Sequence, residues 1–200
     1  MLFRSVDVII GTGDKSEIVK CCEESKATQK KINIVKNSKE LKDFEELKIG
    51  DIKSRTRAYM KIQEGCNQYC SYCIIPYARG PIRSRDINNI IAEANRLTNS
   101  GFKEIILTGI HVASYGKDIG DIGLLDVIKD VSKVEGIERI RLSSIEPRLI
   151  DEEFMKTVSK IPQFCDHFHL SLQSGSDTIL KKMNRKYTTA EYSKIVDLIR

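Results

Sequence analysis

The sequence predicts an α/β fold: β/α units on a parallel sheet over residues 57–200, preceded by the tail of a smaller α/β unit. Three features point to it. From Arg57 onward, short runs rich in β-branched residues alternate with segments of helical period, the pattern of strands joined by crossover helices. The stretch 36–56 is polar and rich in lysine and glutamate, as a boundary between units is, although Leu41, Phe44 and Leu47 give it one amphipathic turn. The first 35 residues have their own strand, helix and strand pattern.

In order, Val6–Ile10 reads as a buried strand, Asp14–Glu24 as a helix with Asp14 as its N-cap, and Ile32–Val35 as a second strand. Residues 1–5 are expected to be foreign, since the adapter string CTCTTCCGATCT encodes Leu2-Phe3-Arg4-Ser5. In the larger unit the strands are Ala58–Ile62, Glu104–Thr108, Arg139–Ser144 and His167–Leu172. Between them lie helices at Ile87–Ser100, Leu124–Val134 and Asp151–Ser159, and a last helix starts near Thr189. That helix still shows an apolar face (Tyr192, Ile195, Val196, Ile199) where the sequence stops at Arg200, with no stop signal, so a fragment of a longer protein is expected. Right-handed crossovers are compatible with an open doubly wound sheet or a barrel. In both, ligands bind at the carboxyl ends of the strands. Cys66, Gly109, His111, Ser144, Glu146 and Gln173 all follow strands there.

Hydrophobic residues at 40% and charged residues at 30% are the balance of a globular protein. No apolar run approaches the roughly eighteen residues of a membrane span, and no secretion signal opens the chain, so a cytoplasmic protein with no membrane partner is expected. Six cysteines in that reducing compartment point to metal ligands or redox groups rather than disulfides. A net charge of +5 is compatible with a nucleic-acid partner without requiring one.

Cys66, Cys70 and Cys73 are spaced Cys-x3-Cys-x2-Cys on one short segment. Three thiolates so placed suit three corners of a [4Fe–4S] cubane, with no fourth cysteine nearby to close the last iron. An open iron suits binding and reducing a ligand rather than simple electron transfer. The alternative is a structural zinc site, with His111, His167, His169 or Cys165 as a fourth ligand, although none forms the usual second knuckle. Cys21 and Cys22 are adjacent, so in a helix they point about 100° apart and serve as helix-face or core thiols.

The triplet, with Tyr72 before its third thiol, resembles the hallmark of the radical S-adenosylmethionine (SAM) superfamily. The longer strings KIQEGCNQYCSYCIIPYARG, LTGIHVASYG, RLSSIEP and HLSLQSGSDTILKKMNRKYT resemble its methylthiotransferase family, closest to the MtaB-type branch acting on threonylcarbamoyladenosine in tRNA. The resemblance implies a partial radical SAM (β/α) barrel over 57–200, incomplete at its C-terminus. It makes residues 1–35 the end of an N-terminal methylthiotransferase domain and residues 36–56 a linker. It implies that Cys66, Cys70 and Cys73 are the cluster ligands and catalytic centre, that SAM chelates the open iron, and that its reductive cleavage gives a 5′-deoxyadenosyl radical. The product expected is a methylthio group on C2 of N6-threonylcarbamoyladenosine at position 37 of tRNA. Another tRNA adenosine or a ribosomal protein are the alternative substrates, and a non-catalytic zinc-binding RNA module is the alternative of a different class. Implied partners are tRNA, SAM and an electron donor such as flavodoxin or ferredoxin. A second [4Fe–4S] cluster belongs to the full-length family pattern, but its ligands precede the stretch matched here, and the C-terminal RNA-binding domain is also missing, so this fragment is expected to be inactive alone.

Around the triplet, Tyr72, Thr108, Gly109, Ser144, Glu146 and Gln173 are the expected SAM contacts. Gly109 lacks a Cβ and would let the backbone approach a ligand, while the polar groups would read hydroxyl and amino groups. His111 reads as a loop residue with one satisfied hydrogen bond, or one facing the substrate base. Arg79, Arg83 and Arg85, and Lys181, Lys182, Arg185 and Lys186, form two basic groups able to meet tRNA phosphates or to be ordinary solvated faces. His167 and His169 share one face of their strand, with Phe168 and Leu170 on the other.

Overall fold

The structure is a computed structural model that describes residues 5–47, 56–120 and 122–200. Four of the five residues read as foreign, 1–4, and most of the second half of the linker, 48–55, lie outside the described residues.

The N-terminal unit has strand β1 (Val8–Ile9), helix α1 (Ile18–Thr28) and strand β2 (Ile32–Asn33), with β1 and β2 parallel. Both strands are shorter than their β-branched runs. The Asp14 side chain does not cap the helix. It accepts instead from Lys36 Nζ at 2.6 Å, and a 3-10 turn, Lys15–Glu17, leads into α1. The helix runs past Glu24 to Thr28, where Gln29 takes a left-handed conformation (φ 55°) as its C-cap. Cys21 is buried and Cys22 exposed, as their angular separation requires.

The larger unit is a four-stranded sheet of order β4-β3-β5-β6, formed by β3 (Arg57–Glu64), β4 (Arg83–Ser84), β5 (Glu104–Gly109) and β6 (Arg139–Leu142). β3, β5 and β6 are parallel, and β4 is an antiparallel edge strand. The sheet is therefore mixed rather than purely parallel. Two residues of β-bridge are too short to carry a sequence period, which is why β4 is not legible in advance.

Period two sorts the strand residues. Ala58, Met60 and Ile62 of β3, Ile105 and Leu107 of β5, and Ile140 and Leu142 of β6 enter the core. After the short helix α2 (Ile75–Ala78), helices α3 (Ile87–Asn99) and α4 (Leu124–Ser132) cover them with Ile90, Ala94 and Leu97 and with Leu124, Val127, Ile128 and Val131, all at helical spacing. The alternate strand positions carry Lys61, Glu104, Thr108, Arg139 and Arg141, and Glu104 accepts from both Arg139 Nε at 3.0 Å and Arg141 Nε at 2.8 Å. α5 (Glu152–Val158) begins after Asp151, whose side chain accepts from the Phe154 N–H at 2.7 Å. α6 (Asp177–Lys182) precedes α7 (Thr189–Ile199), which starts with a reciprocal capping box between Thr188 and Glu191.

The expected strand at His167–Leu172 is not a regular strand. The chain meets β6 and its extension through two parallel bridges, Ile140 with Phe164 and Ile145 with Leu170. Between them the His167 N–H turns back to Cys165 O at 2.7 Å, a local bond that takes the backbone out of the ladder. The alternation survives: Phe168 and Leu170 pack against the core, and His167 and His169 are exposed.

The described part of the linker is pinned to the larger unit. The Ser38 hydroxyl donates to Tyr77 O, and Glu46 receives Arg85 Nε at 2.9 Å.

Candidate active site at the carboxyl ends of the strands

β3 delivers the cysteine segment. Gly65 sits at φ +71°, and a Cβ there would lie 1.7 Å from Pro81 O, so only glycine lets the chain leave the strand this way. The next residue, Cys66, is buried and its N–H donates to Gly80 O at 3.1 Å. Cys70 and Cys73, both half-buried, are joined by a turn in which the Cys73 N–H donates to Cys70 O at 3.0 Å. Tyr69, between Cys66 and Cys70, takes a left-handed backbone (φ 49°), as does Gln173 (φ 63°); such conformations in non-glycine residues persist where the surroundings impose them.

Some of the expected residues meet partners from distant parts of the chain. Tyr72 Oη donates to Gln173 Oε1 at 3.0 Å, across the 101 positions separating them. Ser144 Oγ and Ser171 Oγ are 2.8 Å apart. Glu146 is buried and accepts from Arg148 Nε at 2.6 Å, and Arg148 also reaches toward Gln68 Oε1 at 3.4 Å. Thr108 and Gly109 end β5 beside β3, where Lys61 pairs with Thr108 and a register shift then sets Gln63 against Gly109. Gly109 does answer a close approach, but to Gln63: a Cβ would lie 2.9 Å from Gln63 Oε1 and 3.0 Å from its backbone O.

Gln63, inside the string KIQEGC but not among the expected site residues, organises this corner. It is fully buried, donates to Glu64 O (2.8 Å) and Gly65 O (2.7 Å), and accepts from the His111 N–H at 2.7 Å. The His111 ring has Nδ1 2.7 Å from Ser114 Oγ, while Nε2 is buried without a partner. Burial pushes the His111 pKa below its ordinary 6.5, against the opposing pull of Glu146.

The first basic group does not form a phosphate-facing surface. Arg83 is buried and donates to Arg79 O and Pro81 O, and Arg85 is buried between Glu46 and Glu93. Arg79 donates to Thr12 Oγ1 and Glu64 Oε1. From the second group Arg185 turns inward, its Nη1 3.4 Å from Cys70 Sγ, whereas Lys181, Lys182 and Lys186 are exposed.

A [4Fe–4S] cluster needs sulfur ligands whose negative charge is supported. The Gln68 N–H lies 3.4 Å from Cys66 Sγ, and Arg185 supplies the second donor, to Cys70. Burial pushes the Cys66 thiol up, the Gln68 N–H opposes it, and Cys70 and Cys73 push it up further. Three thiols on one short segment suit a cationic metal group, which binds cysteines as thiolates and releases their protons. Among the described residues no three His, Cys, Asp or Glu side chains converge on one point as a single-ion site requires.

The profile of the radical SAM superfamily matches residues 60–200. The chain belongs to the radical SAM superfamily. A solved radical SAM methyltransferase, TsrM from Kitasatospora setae with tryptophan and a SAM analogue bound, superposes over 72% of this chain and 28% of its own at TM-score 0.58, with 17% identity. That likeness places the sheet and helices as part of a radical SAM α/β fold. In sequence the chain is 41% identical over 189 residues to the threonylcarbamoyladenosine tRNA methylthiotransferase MtaB of Bacillus subtilis, covering 94% of this chain and 42% of that one. It is 36% identical over 195 residues to the tRNA-2-methylthio-N(6)-dimethylallyladenosine synthase of a Sulfurihydrogenibium species, covering 98% and 45%. This radical SAM chain thus spans less than half the length of the curated relatives it matches. No described helix is long and apolar enough to cross a membrane.

Proposed function

We propose that this chain is the cluster- and SAM-binding part of a tRNA methylthiotransferase acting on C2 of N6-threonylcarbamoyladenosine at position 37. The observation that carries the reading is the Cys66, Cys70 and Cys73 triplet on one segment beyond β3, with Gln173 against Tyr72 and Arg185 against Cys70 from the far end of the chain. Membership of the superfamily fits a [4Fe–4S] cluster on these three thiols with one iron left for SAM. Bound there, the cluster and SAM supply the one-electron chemistry that makes a carbon radical from an unreactive C–H bond.

The residues of this chain hold and shield. Cys66, Cys70 and Cys73 ligate the cluster. Tyr72, Thr108, Gly109, Ser144, Glu146 and Gln173 line the strand ends where SAM lies, and the scaffold keeps water away from a reactive radical. The substrate reading rests on the 41% identity to the Bacillus subtilis MtaB, together with the strings LTGIHVASYG and RLSSIEP. Residues 1–35 are then the end of an N-terminal methylthiotransferase domain, 36–56 a linker and 57–200 the radical SAM core, in a cytoplasmic enzyme reduced by a flavodoxin- or ferredoxin-like donor.

Two measurements test this. Anaerobic reconstitution of the chain is expected to give about four irons, a reduced EPR signal that changes with SAM, and loss of both in Cys66→Ala. A colourless protein retaining zinc and indifferent to SAM would overturn it. For the substrate, tRNA nucleosides from a host deleted for the full gene are expected to lack the methylthio group on threonylcarbamoyladenosine. Its loss from dimethylallyladenosine instead, or from a ribosomal protein, would reassign the substrate.

A further inference from the structure

The cluster segment is gripped by three consecutive residues from the opposite end of the chain. α6 ends in a Schellman motif: the Arg185 N–H donates to Leu180 O at 2.9 Å and the Asn184 N–H to Lys181 O at 3.0 Å, with Asn184 left-handed at φ 58°. That turn presents Met183, Asn184 and Arg185 to the cysteines. Met183 O accepts from the Ser71 N–H at 3.2 Å, and Asn184 Nδ2 donates to Tyr69 O at 2.9 Å. Arg185 Nη1 reaches Cys70 Sγ at 3.4 Å. All three contacts fall on Cys70 and its immediate neighbours.

The guanidinium is itself held. Its Cζ lies 5.2 Å from the centre of the Tyr187 ring, a cation–π distance, and Tyr187, buried, donates its hydroxyl to Ser171 O (2.6 Å) and Leu172 O (2.8 Å). Among the described residues no carboxylate forms an ion pair with Arg185, and its Nε is buried without a partner. A cation fixed on an aromatic face and aimed at a thiol is poorly placed as a free phosphate ligand and well placed to support negative charge on sulfur.

We propose that Arg185 is a positioning residue that tunes the cluster: its Nη1–H donates to the Cys70 thiolate and favours the reduced, more negative state. Hydrogen bonds to ligand sulfurs and nearby charge are among the factors that set cluster potentials, and a cationic donor stabilises the added electron. The inference rests on the reading of Cys66, Cys70 and Cys73 as cluster ligands.

The test is an EPR-monitored redox titration of the anaerobically reconstituted chain, comparing wild type with Arg185→Met, Arg185→Lys and Asn184→Gly, alongside iron content. Arg185→Met is expected to lower the reduced-to-oxidised ratio at a fixed potential about tenfold, a shift of about 59 mV for one electron to a more negative midpoint. Arg185→Lys, which keeps charge and donor, should recover most of it. Asn184→Gly, which keeps the left-handed turn and removes only the side-chain bond to Tyr69 O, should leave the midpoint in place. A midpoint in Arg185→Met within error of wild type, at full iron content, would overturn the proposal, and weaker SAM binding alongside it would assign the guanidinium to SAM's carboxylate. If Arg185→Met fails to hold iron, Arg185→Lys and Arg185→Gln decide: Gln keeps a donor without charge and should fall between wild type and complete loss, while equal midpoints in Lys, Gln and wild type sink the idea. A wild-type chain that forms no cluster at all removes the underlying ligand reading, a different result from an unmoved potential.

Discussion

Tyr72 and Gln173 are hydrogen-bonded, phenol to amide oxygen, at 3.0 Å, so the residue before the third cysteine touches the residue that follows the last strand-like segment. Both are exposed. An exposed neutral bond contributes little to folding, and Tyr72→Phe is expected to change the unfolding free energy by less than about 0.5 kcal/mol. Its effect should appear in ligand binding, because Gln173 loses the partner that fixes its side chain. Isothermal titration of SAM into reconstituted protein is expected to show several-fold weaker binding; unchanged affinity would remove Tyr72 and Gln173 from the SAM site.

Gly65 is the hinge on which Cys66 turns. Alanine there needs both a left-handed backbone and relief of a 1.7 Å contact with Pro81 O. The expected cost is about 3 kcal/mol or more, from the left-handed penalty plus the shift of packed backbone. Cys66 should move with it, so iron retained after reconstitution should fall together with stability. Urea unfolding and iron assay check this; a stable Gly65→Ala protein with full iron would show that the turn relaxes without cost.

Much of the site was legible in the sequence because three local signals coincide: thiol spacing, β/α periodicity, and polar residues just past strand ends. Tyr72 and Gln173, both read as candidate site residues, meet across 101 positions, although Gln173 follows a strand-like segment rather than a strand. What was not legible depends on long-range contacts. Arg83 and Arg85 look in sequence like a basic surface, yet carboxylates and carbonyls distant in the chain bury them. Gln63 looks like an ordinary strand residue until its partner His111, 48 positions away, comes into view. The segment 167–172 fails as a strand for a local reason, the backbone bond from His167 to Cys165.

Arg85 shows what such a buried charge contributes. It donates from Nε to both carboxylate oxygens of Glu46 at 2.9 Å and from Nη1 to the buried Glu93, while its own backbone O accepts from Tyr115 Oη at 2.7 Å. Arg85→Met leaves the buried Glu93 with only the longer 3.4 Å contact from Arg96 Nη2 and is expected to cost about 3 kcal/mol. Removing Glu93 as well should return part of that loss, since the penalty comes mainly from the under-compensated buried charge. Urea unfolding of both variants separates the cases: a double variant no more stable than Arg85→Met would mean that packing, not charge, dominates here.

Glu104 gives the fold a defined pH response. Burial pushes its carboxyl up, but the hydrogen bonds from Arg139 and Arg141 outweigh that and hold it below the ordinary 4.5. The folded state therefore binds its proton less readily than the unfolded state. Its contribution is complete above the ordinary carboxylate range and is lost as pH falls through the folded value. Both arginines are partly exposed, so solvent screening limits the contribution to about 1 kcal/mol or less. Urea midpoints measured from about pH 7 to about pH 3 on wild type and Glu104→Gln should differ most near neutrality and converge in acid. Parallel curves would show that the two β6 arginines add nothing to the pairing of β5 with β6 beyond its backbone ladder.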